Sequence, residues 1–428
     1  MIHLAVIAPP FASHFRALEC LAVELVHRGY RVTFFQQPDA RRMLGNPCVG
    51  FHSVGETSHP AGSLDKDSDP ANTPFTPLNV FGFARALSRQ TDMLCRELPA
   101  ALASLKVDAL LCDQWEAAGG MLGEALGLPF ISIACSLPIN RGDAVPHPLT
   151  SIAYGMDDRS LKQYRSSTAL LDWLARPLRR TIALNASRLA ISPRNSPHEC
   201  LSRMAQIGQT VYGLDFPRPE LPGCYHEVGP LGSGQAMQTD LPWPVDPHTP
   251  FILASLGAAH SHRSALLERI ARACAALGVQ LLIEHHGRLN RSQCDRLLAQ
   301  GATWVTGHAP RRATLAAADI LICTPDIDSV MAAVNTDTAI LAIPMAFDQP
   351  AMAARIIYNG IGRRVGRGAS TRELKAQLAL LLQDGPSCNL AYLKRNLARA
   401  GGVKRAAEVI QSLVPQVRPA PVLVYSAR

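Results

Sequence analysis

Asp319-Ile-Leu-Ile-Cys-Thr-Pro-Asp-Ile-Asp-Ser-Val-Met-Ala-Ala-Val334, followed by Ala339-Ile-Leu-Ala-Ile-Pro-Met-Ala-Phe-Asp-Gln-Pro350, is the stretch on which the fold turns. Ile320 to Cys323 is a short apolar run suited to a buried strand. Ile327, Val330, Met331 and Val334 then fall at i, i+3, i+4 and i+7, one apolar face of a helix. A second apolar run, Ala339 to Ile343, leads into the turn Phe347-Asp348-Gln349-Pro350. Strand, helix, strand predicts a parallel crossover unit. In open α/β sheets the ligand crevice lies at the carboxyl ends of the strands, so the turns after Cys323 and after Pro344 are expected to face one crevice.

Outward from this unit the chain reads as two α/β halves. At 428 residues it exceeds one ordinary domain of roughly 150 residues. Leu4 to Ala8 predicts a strand, the turn Pro9 to His14 follows, and a helix with Leu18, Leu21, Ala22 and Leu25 on one face stops at Gly29 before the strand Arg31 to Phe35. This Rossmann-like opening lacks Gly-x-Gly-x-x-Gly, which argues against a dinucleotide there. Residues 56–78 read as a long loop and 80–105 as helix. Val107 to Cys112 and Phe130 to Ala134 read as strands flanking a helix from Ala117 to Leu126; residues 141–205 take no confident assignment. Eight prolines between Phe216 and Pro250 exclude a helix or a central strand. The expected organisation is therefore a first unit at 1–215, a linker at 216–250, a second α/β unit at 251–415 and an extended tail at 416–428.

With 47% hydrophobic and 18% charged residues the chain can bury substantial cores. The net charge of +8 is spread without a Lys/Arg tract, so no nucleic-acid partner is expected. The eleven cysteines form no Cys-x-x-Cys pair, and Cys112, Cys135 and Cys323 end apolar runs as small hydrophobes do. With no signal peptide and no apolar run of membrane-spanning length, the expectation is a cytoplasmic protein. No metal cluster is expected, because His285-His286 lacks a third ligand at a recognised spacing.

His14 follows the first strand and Asp113 ends a later one, so both can meet at a cleft. His14 reads as a packing residue at a helix N-terminus or as a general base. Asp113 reads as a helix N-cap or as the carboxylate that fixes the tautomer of that base. Thr324-Pro325-Asp326 reads as a self-capped helix start, with Thr324 at the N-cap and Pro325 at N1.

Several motifs carry a resemblance: Ala5-Val-Ile-Ala-Pro-Pro-Phe-Ala-Ser-His-Phe-Arg-Ala-Leu18, Thr91-Asp-Met-Leu-Cys-Arg-Glu-Leu-Pro99, Glu124-Ala-Leu-Gly-Leu-Pro-Phe-Ile-Ser-Ile-Ala-Cys135, Ala346-Phe-Asp-Gln-Pro350 and Arg355-Ile-Ile-Tyr-Asn-Gly-Ile-Gly362. From the first strand to about residue 412 the chain resembles the enzymes that glucosylate zeaxanthin, a branch of the UDP-glycosyltransferase family. The resemblance implies a GT-B fold, two Rossmann-like doubly wound parallel-sheet domains facing a central cleft. It further implies an inverting transfer of glucose from UDP-glucose, a co-substrate rather than a resident cofactor, to a hydroxyl of a lipophilic carotenoid, which in turn implies a peripheral approach to the inner face of the membrane. His14 matches the family's base, Asp113 its partner, and Asp348 and Gln349 the pair that holds the donor sugar. The nucleotide-binding positions fall on Ser255, Gly257, His308, Arg311, Thr324, Asp328 and Ser329.

Where the family has His-Gly-Gly-x-Asn-Ser/Thr, this chain has Thr324-Pro-Asp-Ile-Asp-Ser329. Ala258 also replaces a hydroxyl residue, and Arg311 stands in the place of a usual glutamine. Helix N-termini bind phosphate through free N–H groups and the dipole. A proline deletes one donor, and carboxylates there repel a diphosphate by roughly 4 kcal/mol per pair of unit charges 4 Å apart at an effective dielectric of about 20. His262, Arg263, Arg311 and Arg312 can rebuild an anion site or form a solvated face. Two alternatives to UDP-glucose transfer therefore stay open: a relative that binds acceptor or lipid without donor, and a transferase using another nucleotide sugar.

Overall fold

The computed structural model describes residues 1–64, 76–232, 240–260, 263–385 and 387–414. Two sheets, wholly parallel, carry the chain. The first has the order β3-β2-β1-β4-β5-β6-β7. It is built from β1 (His3–Ile7), β2 (Arg31–Gln36), β3 (Gly50–Ser53), β4 (Ala109–Asp113), β5 (Phe130–Ala134), β6 (Gln206–Gly208) and β7 (Tyr225–Glu227). The second, in the order β10-β9-β8-β11-β12-β13, joins β8 (Phe251–Ser255), β9 (Gln280–Glu284), β10 (Trp304–Thr306), β11 (Ile320–Cys323), β12 (Ala339–Ala342) and β13 (Gly362–Arg364).

Helices cover both sheets. On the first lie α1 (Ala12–His27), α2 (Pro77–Ser104), α3 (Ala117–Leu126), α4 (Asp158–Leu174) and α5 (Arg176–Arg188). The second series begins with α6 (Gly257–His260), α7 (Ser264–Ala275), α8 (Arg291–Ala299), α9 (Arg311–Ala317) and α10 (Ile327–Asn335). It continues with α11 (Gln349–Tyr358), α12 (Thr371–Asp384), α13 (Cys388–Ala400) and α14 (Gly402–Leu413). The central strands are buried on both faces, as their uninterrupted apolar runs require. In each sheet the order reverses beside the first strand of its unit, between β1 and β4 and again between β8 and β11. Such a reversal opens a crevice at the carboxyl ends of the strands.

The β11–α10–β12 unit forms as its sequence pattern predicts, with Ile327, Val330, Met331 and Val334 buried beneath α10. Its cap differs from the expectation. Asp326 is the N-cap and accepts from the Ser329 amide at 2.7 Å. The Thr324 hydroxyl instead donates to the carbonyl of Leu256 at 3.1 Å, tying together the loops on either side of the switch point. Aspartate caps at least as well as threonine, so Thr324 is released for this bridge. Pro325 consequently precedes the helix and removes none of its first-turn donors.

The proline-rich stretch does not begin as a linker. Tyr225–Glu227, a proline-free triplet within it, pairs with β6 as the outermost strand of the first sheet, the one place where neighbouring prolines do not interrupt a ladder. Read with the second unit from its position in sequence, α14 in fact packs on α1, and Ala406, Ala407, Val409 and Ile410 share a core with Leu18, Leu21 and Leu25. Tyr30 Oη fastens its end by donating to the carbonyl of Val414 at 2.8 Å. An apolar helix face needs a partner, and sequence order does not say which sheet supplies it. Residues 141–205, unassigned from sequence, contain α4 and α5. The expected tail at 416–428 and residues 65–75 of the expected long loop lie outside the described residues. All eleven cysteines are free thiols, and among the described residues no helix is long and apolar enough to cross a membrane.

A buried polar joint fastens the second unit to the first. Arg355 on α11 is 0% exposed. Its Nε donates to Asp215 Oδ1 at 2.8 Å and its guanidinium lies 4.2 Å from the Phe216 ring centroid. Asn359, one helical turn on, donates to the carbonyl of Leu214 at 2.8 Å. Tyr154, Phe216 and Tyr358 close the joint with ring centroids 5.1–5.3 Å apart. Burial works against the charge on Arg355 and Asp215 works for it. Asp215→Ala, which strands a buried guanidinium, is expected to destabilise the protein by about 3–5 kcal/mol, whereas Asp215→Leu combined with Arg355→Met recovers most of the loss. Chemical denaturation of the two variants beside the wild type measures the difference.

Candidate active site

Because β1 and β4 are paired, with Ile7 opposite Cys112, the residues that leave their carboxyl ends converge. His14 stands in the first turn of α1 and Asp113 is the last residue of β4. His14 Nδ1 lies 2.8 Å from Asp113 Oδ2, and both residues are buried, at 4% and 1% exposure. Asp113 Oδ1 accepts from the Trp115 amide at 2.9 Å, so the carboxylate is held by the turn as well. A carboxylate accepts the Nδ1 proton and thereby makes Nε2 the basic nitrogen of the ring. That arrangement takes a proton from a hydroxyl and stabilises the imidazolium that results.

Aromatic rings surround His14. Phe11 meets His14 edge-on at 5.3 Å. Phe83 packs on Phe11 at 5.7 Å and on Phe347 at 5.4 Å, and Phe347 lies 5.2 Å from Trp115. Phe347 belongs to the second unit and occupies the left-handed region at φ 49°, uncommon for a bulky residue. Sequence reasoning missed this cluster, since its members come from four separate loops and helices and no spacing links them.

The turn that carries Phe347 also carries Asp348 and Gln349. Asp348 begins α11 without using its side chain as a cap. Burial raises its carboxyl to about 6, the charge of His14 opposes the shift, and Asp326 adds to it. Gln349 is only half available for a ligand. Its Oε1 accepts from the amides of Met345 at 2.8 Å and Ala346 at 3.1 Å, which leaves the Nε2 donors to offer a hydroxyl.

The remaining expected positions gather at the switch point of the second sheet. Ser255 ends β8 and donates to Glu284 Oε2 at 2.8 Å, with His286 Nε2 3.1 Å from the same hydroxyl. Glu284 Oε1 accepts from the Ala309 amide at 3.1 Å. Glu284, His286 and His308 each place a ligand-type atom within 4.8 Å of the others. The expectation that His286 has no third neighbour of this kind is therefore corrected: its companions come from the ends of β9 and β10, which local spacing does not reveal. Burial lowers the pKa of His286, with Glu284 opposing and His308, Arg311 and Arg16 reinforcing the shift. Gly257 takes φ 69°, and a Cβ there would lie 3.5 Å from Thr324 Oγ1. Arg311 Nη2 donates to Ser329 Oγ at 3.0 Å, which brings a guanidinium to the start of α10. Asp328 lies in the same first turn; burial raises its carboxyl, Asp326 adds to that, and Arg311 and Arg16 oppose it. Arg16 comes from α1 of the first unit and was not singled out by the sequence. His262 lies outside the described residues.

The raised carboxyl of Asp348 has a consequence for stability. A carboxyl whose pKa is higher folded than unfolded contributes fully below the unfolded value, here 3.8, and loses that contribution as pH rises through the folded value of about 6. Asp348→Asn is therefore expected to stabilise the protein at pH 8, by at most about 3 kcal/mol since the site is partly open to water, and to change little at pH 3.5. Denaturation midpoints at the two pH values check this.

No protein-family model matches the chain. It is 42% identical over 421 residues to the zeaxanthin glucosyltransferase of Pantoea ananas, covering 98% of this chain and 97% of that protein. To the zeaxanthin glucosyltransferase of Pseudescherichia vulneris it is 40% identical over 420 residues, covering 97% and 98%. Among solved structures, the glycotransferase of kitacinnamycin superposes with a TM-score of 0.74 at 19% identity, covering 96% of this chain and 99% of that one, a likeness of fold alone. With two switch-point crevices facing one cleft and this identity over nearly its whole length, the chain belongs to the zeaxanthin glucosyltransferase family and is a glycosyltransferase of GT-B fold.

Proposed function

We propose that the protein transfers glucose, with inversion, from UDP-glucose to a hydroxyl of a carotenoid such as zeaxanthin. The observation that carries this reading is the buried His14–Asp113 pair set among Phe11, Phe83, Trp115 and Phe347, on the turn that also holds Asp348 and Gln349. A carotenoid end ring is apolar apart from its hydroxyl, which matches an aromatic surround with one base in it. His14 Nε2 takes the hydroxyl proton as the oxygen attacks C1 of the glucose. The bond from C1 to the diphosphate oxygen breaks on the opposite face, and UDP leaves with the electron pair. Asp113 stabilises the imidazolium, while Asp348 and the Gln349 amide hold the sugar hydroxyls. Ser255, Gly257, His308 and Thr324 form the nucleotide end, and Arg311 with Ser329 receives the diphosphate. No metal ion or resident cofactor is required. A carotenoid dissolves in the bilayer, so the protein works in the cytoplasm at the inner face of the membrane.

Asp326 and Asp328 at the start of α10 favour a second reading, a relative that binds acceptor without donor, because they set negative charge where the diphosphate belongs. Another nucleotide sugar as donor is the third. Incubation with UDP-glucose and zeaxanthin is expected to yield glucosylated carotenoid, and absence of heat on titration with millimolar UDP-glucose would sink the UDP-glucose reading and leave the other two. His14→Ala is expected to lower transfer by about 10²–10⁴-fold with donor affinity unchanged. Asp326→Asn keeps a capping side chain and removes its charge, so UDP is expected to bind roughly tenfold more tightly, well inside the ~4 kcal/mol available to close like charges. Calorimetry with UDP reads that change, and an unaltered dissociation constant would show that Asp326 does not oppose the donor.

A further inference from the structure

The two helices that the sequence left unassigned present an unusual surface. On α4, Leu170 and Trp173 are 55% and 53% exposed, while Leu171 and Leu174 beside them are buried in the core. At the start of α2, Leu78 and Phe81 are 84% and 40% exposed. The two stretches belong to helices that pack together, α2 lying against both α4 and α5. Ser88 meets Thr181 at 2.7 Å and Asn185 donates to Asp92 at 3.2 Å, the same sequence offset in both pairs, so α2 and α5 run side by side in the same direction. The start of α2 reaches α4 as well: Val80 and Phe83 pack against the core that holds Leu171 and Leu174, where α4 passes into α5 at Ala175. The packing of α2 on α4 agrees with this placement.

The same three helices carry exposed cations. Arg159, Lys162 and Arg165 on α4, Arg176 and Arg180 on α5, and Arg85 and Arg89 on α2 are all exposed. No acidic residue occurs on α5; on α4, Asp172 is paired with Arg141 through both its oxygens, and Asp158 in the first turn is the other, exposed, carboxylate. The Arg176 guanidinium lies over the Trp173 ring at 4.6 Å, joining a cation to the most amphipathic side chain of the face. Large exposed apolar groups among basic residues suit an interface that is apolar in depth and anionic at its surface. A second copy of the same face would oppose cation to cation. The face also adjoins the acceptor site, for Phe83, two residues beyond Phe81 on α2, packs in the aromatic cluster beside His14.

We infer that the corner formed by α4, α5 and the start of α2 docks on a bilayer containing anionic lipid, with the acceptor entering from that side. The inference rests on the lipophilic acceptor argued above and adds where the protein meets the membrane. The test uses the full chain and vesicles of phosphatidylcholine, alone and with phosphatidylglycerol. Co-sedimentation with the anionic vesicles is expected, weakened by salt, and accompanied by a blue shift of tryptophan emission. Leu170→Glu with Trp173→Glu is expected to reduce vesicle binding at least tenfold. The same variant is expected to lose glucosylation of zeaxanthin embedded in those vesicles while retaining it with zeaxanthin dispersed in detergent. Vesicle binding equal in variant and wild type overturns the inference. So does an absence of vesicle binding in a protein fully active on dispersed acceptor, and so does self-association that the substitutions abolish. Should vesicle binding and its loss in the variant hold while neither form of acceptor is glucosylated, the docking face stands and the proposed reaction falls.

Discussion

Helix α11 is the piece on which both the assembly and the site depend, and Arg355 is what holds it. A guanidinium with no exposure to water is tolerable only where a carboxylate and hydrogen bonds compensate its desolvation, and Asp215, the Ala351 carbonyl and the Phe216 ring provide that setting. The same helix opens with Asp348 and Gln349, and the residue before it is Phe347. Fixing Arg355 and Asn359 against the first unit thus fixes, two to three turns away, the side chains that face His14. A shift of this joint would move the Phe347–Gln349 turn and the aromatic contacts of Phe347 together, because one helix carries both.

The start of α10 is a contest of charges. With Asp326 as cap and Pro325 outside the helix, the amide donors and dipole of α10 persist. Against an anion stand the carboxylates of Asp326 and Asp328. In its favour stand Arg311 from α9 and Arg16 from α1, one from each unit, and both act on Asp328. Arg311 brings a fork of donors suited to phosphate oxygens. These two cations come from opposite walls, so the charge balance at the start of α10 depends on the relative placement of the two units.

The legible part of the site was the part made by strand ends. His14 and Asp113 could be paired from the sequence because each follows an apolar run and parallel runs end on one side. Asp348 and Gln349 were legible as a turn with family resemblance, yet the capture of the Gln349 carbonyl by its own turn was not. The aromatic cluster, Arg16 and the Glu284–His286–His308 group were hidden, since their members are joined by folding and not by spacing. The surface at the α4–α5 corner was hidden for a related reason. Helical periodicity separates Leu170 and Trp173 from Leu171 and Leu174 only once the core side is known.

By itself, the sequence determined the local elements: the apolar runs that became β1, β2, β4, β5, β11 and β12, the buried stripe of α10, and the two-unit α/β organisation. These follow from periodicity and from the desolvation of apolar side chains, which act over a few residues. Tertiary structure decided whatever needed a distant partner: Asp326 over Thr324 as the cap, β7 as an edge strand inside the proline-rich stretch, α14 on the opposite unit, and His14, the Phe347–Gln349 turn and the aromatic rings in one cleft. Polar side chains and apolar faces satisfy themselves with the nearest suitable group in space, and sequence distance does not enter that choice.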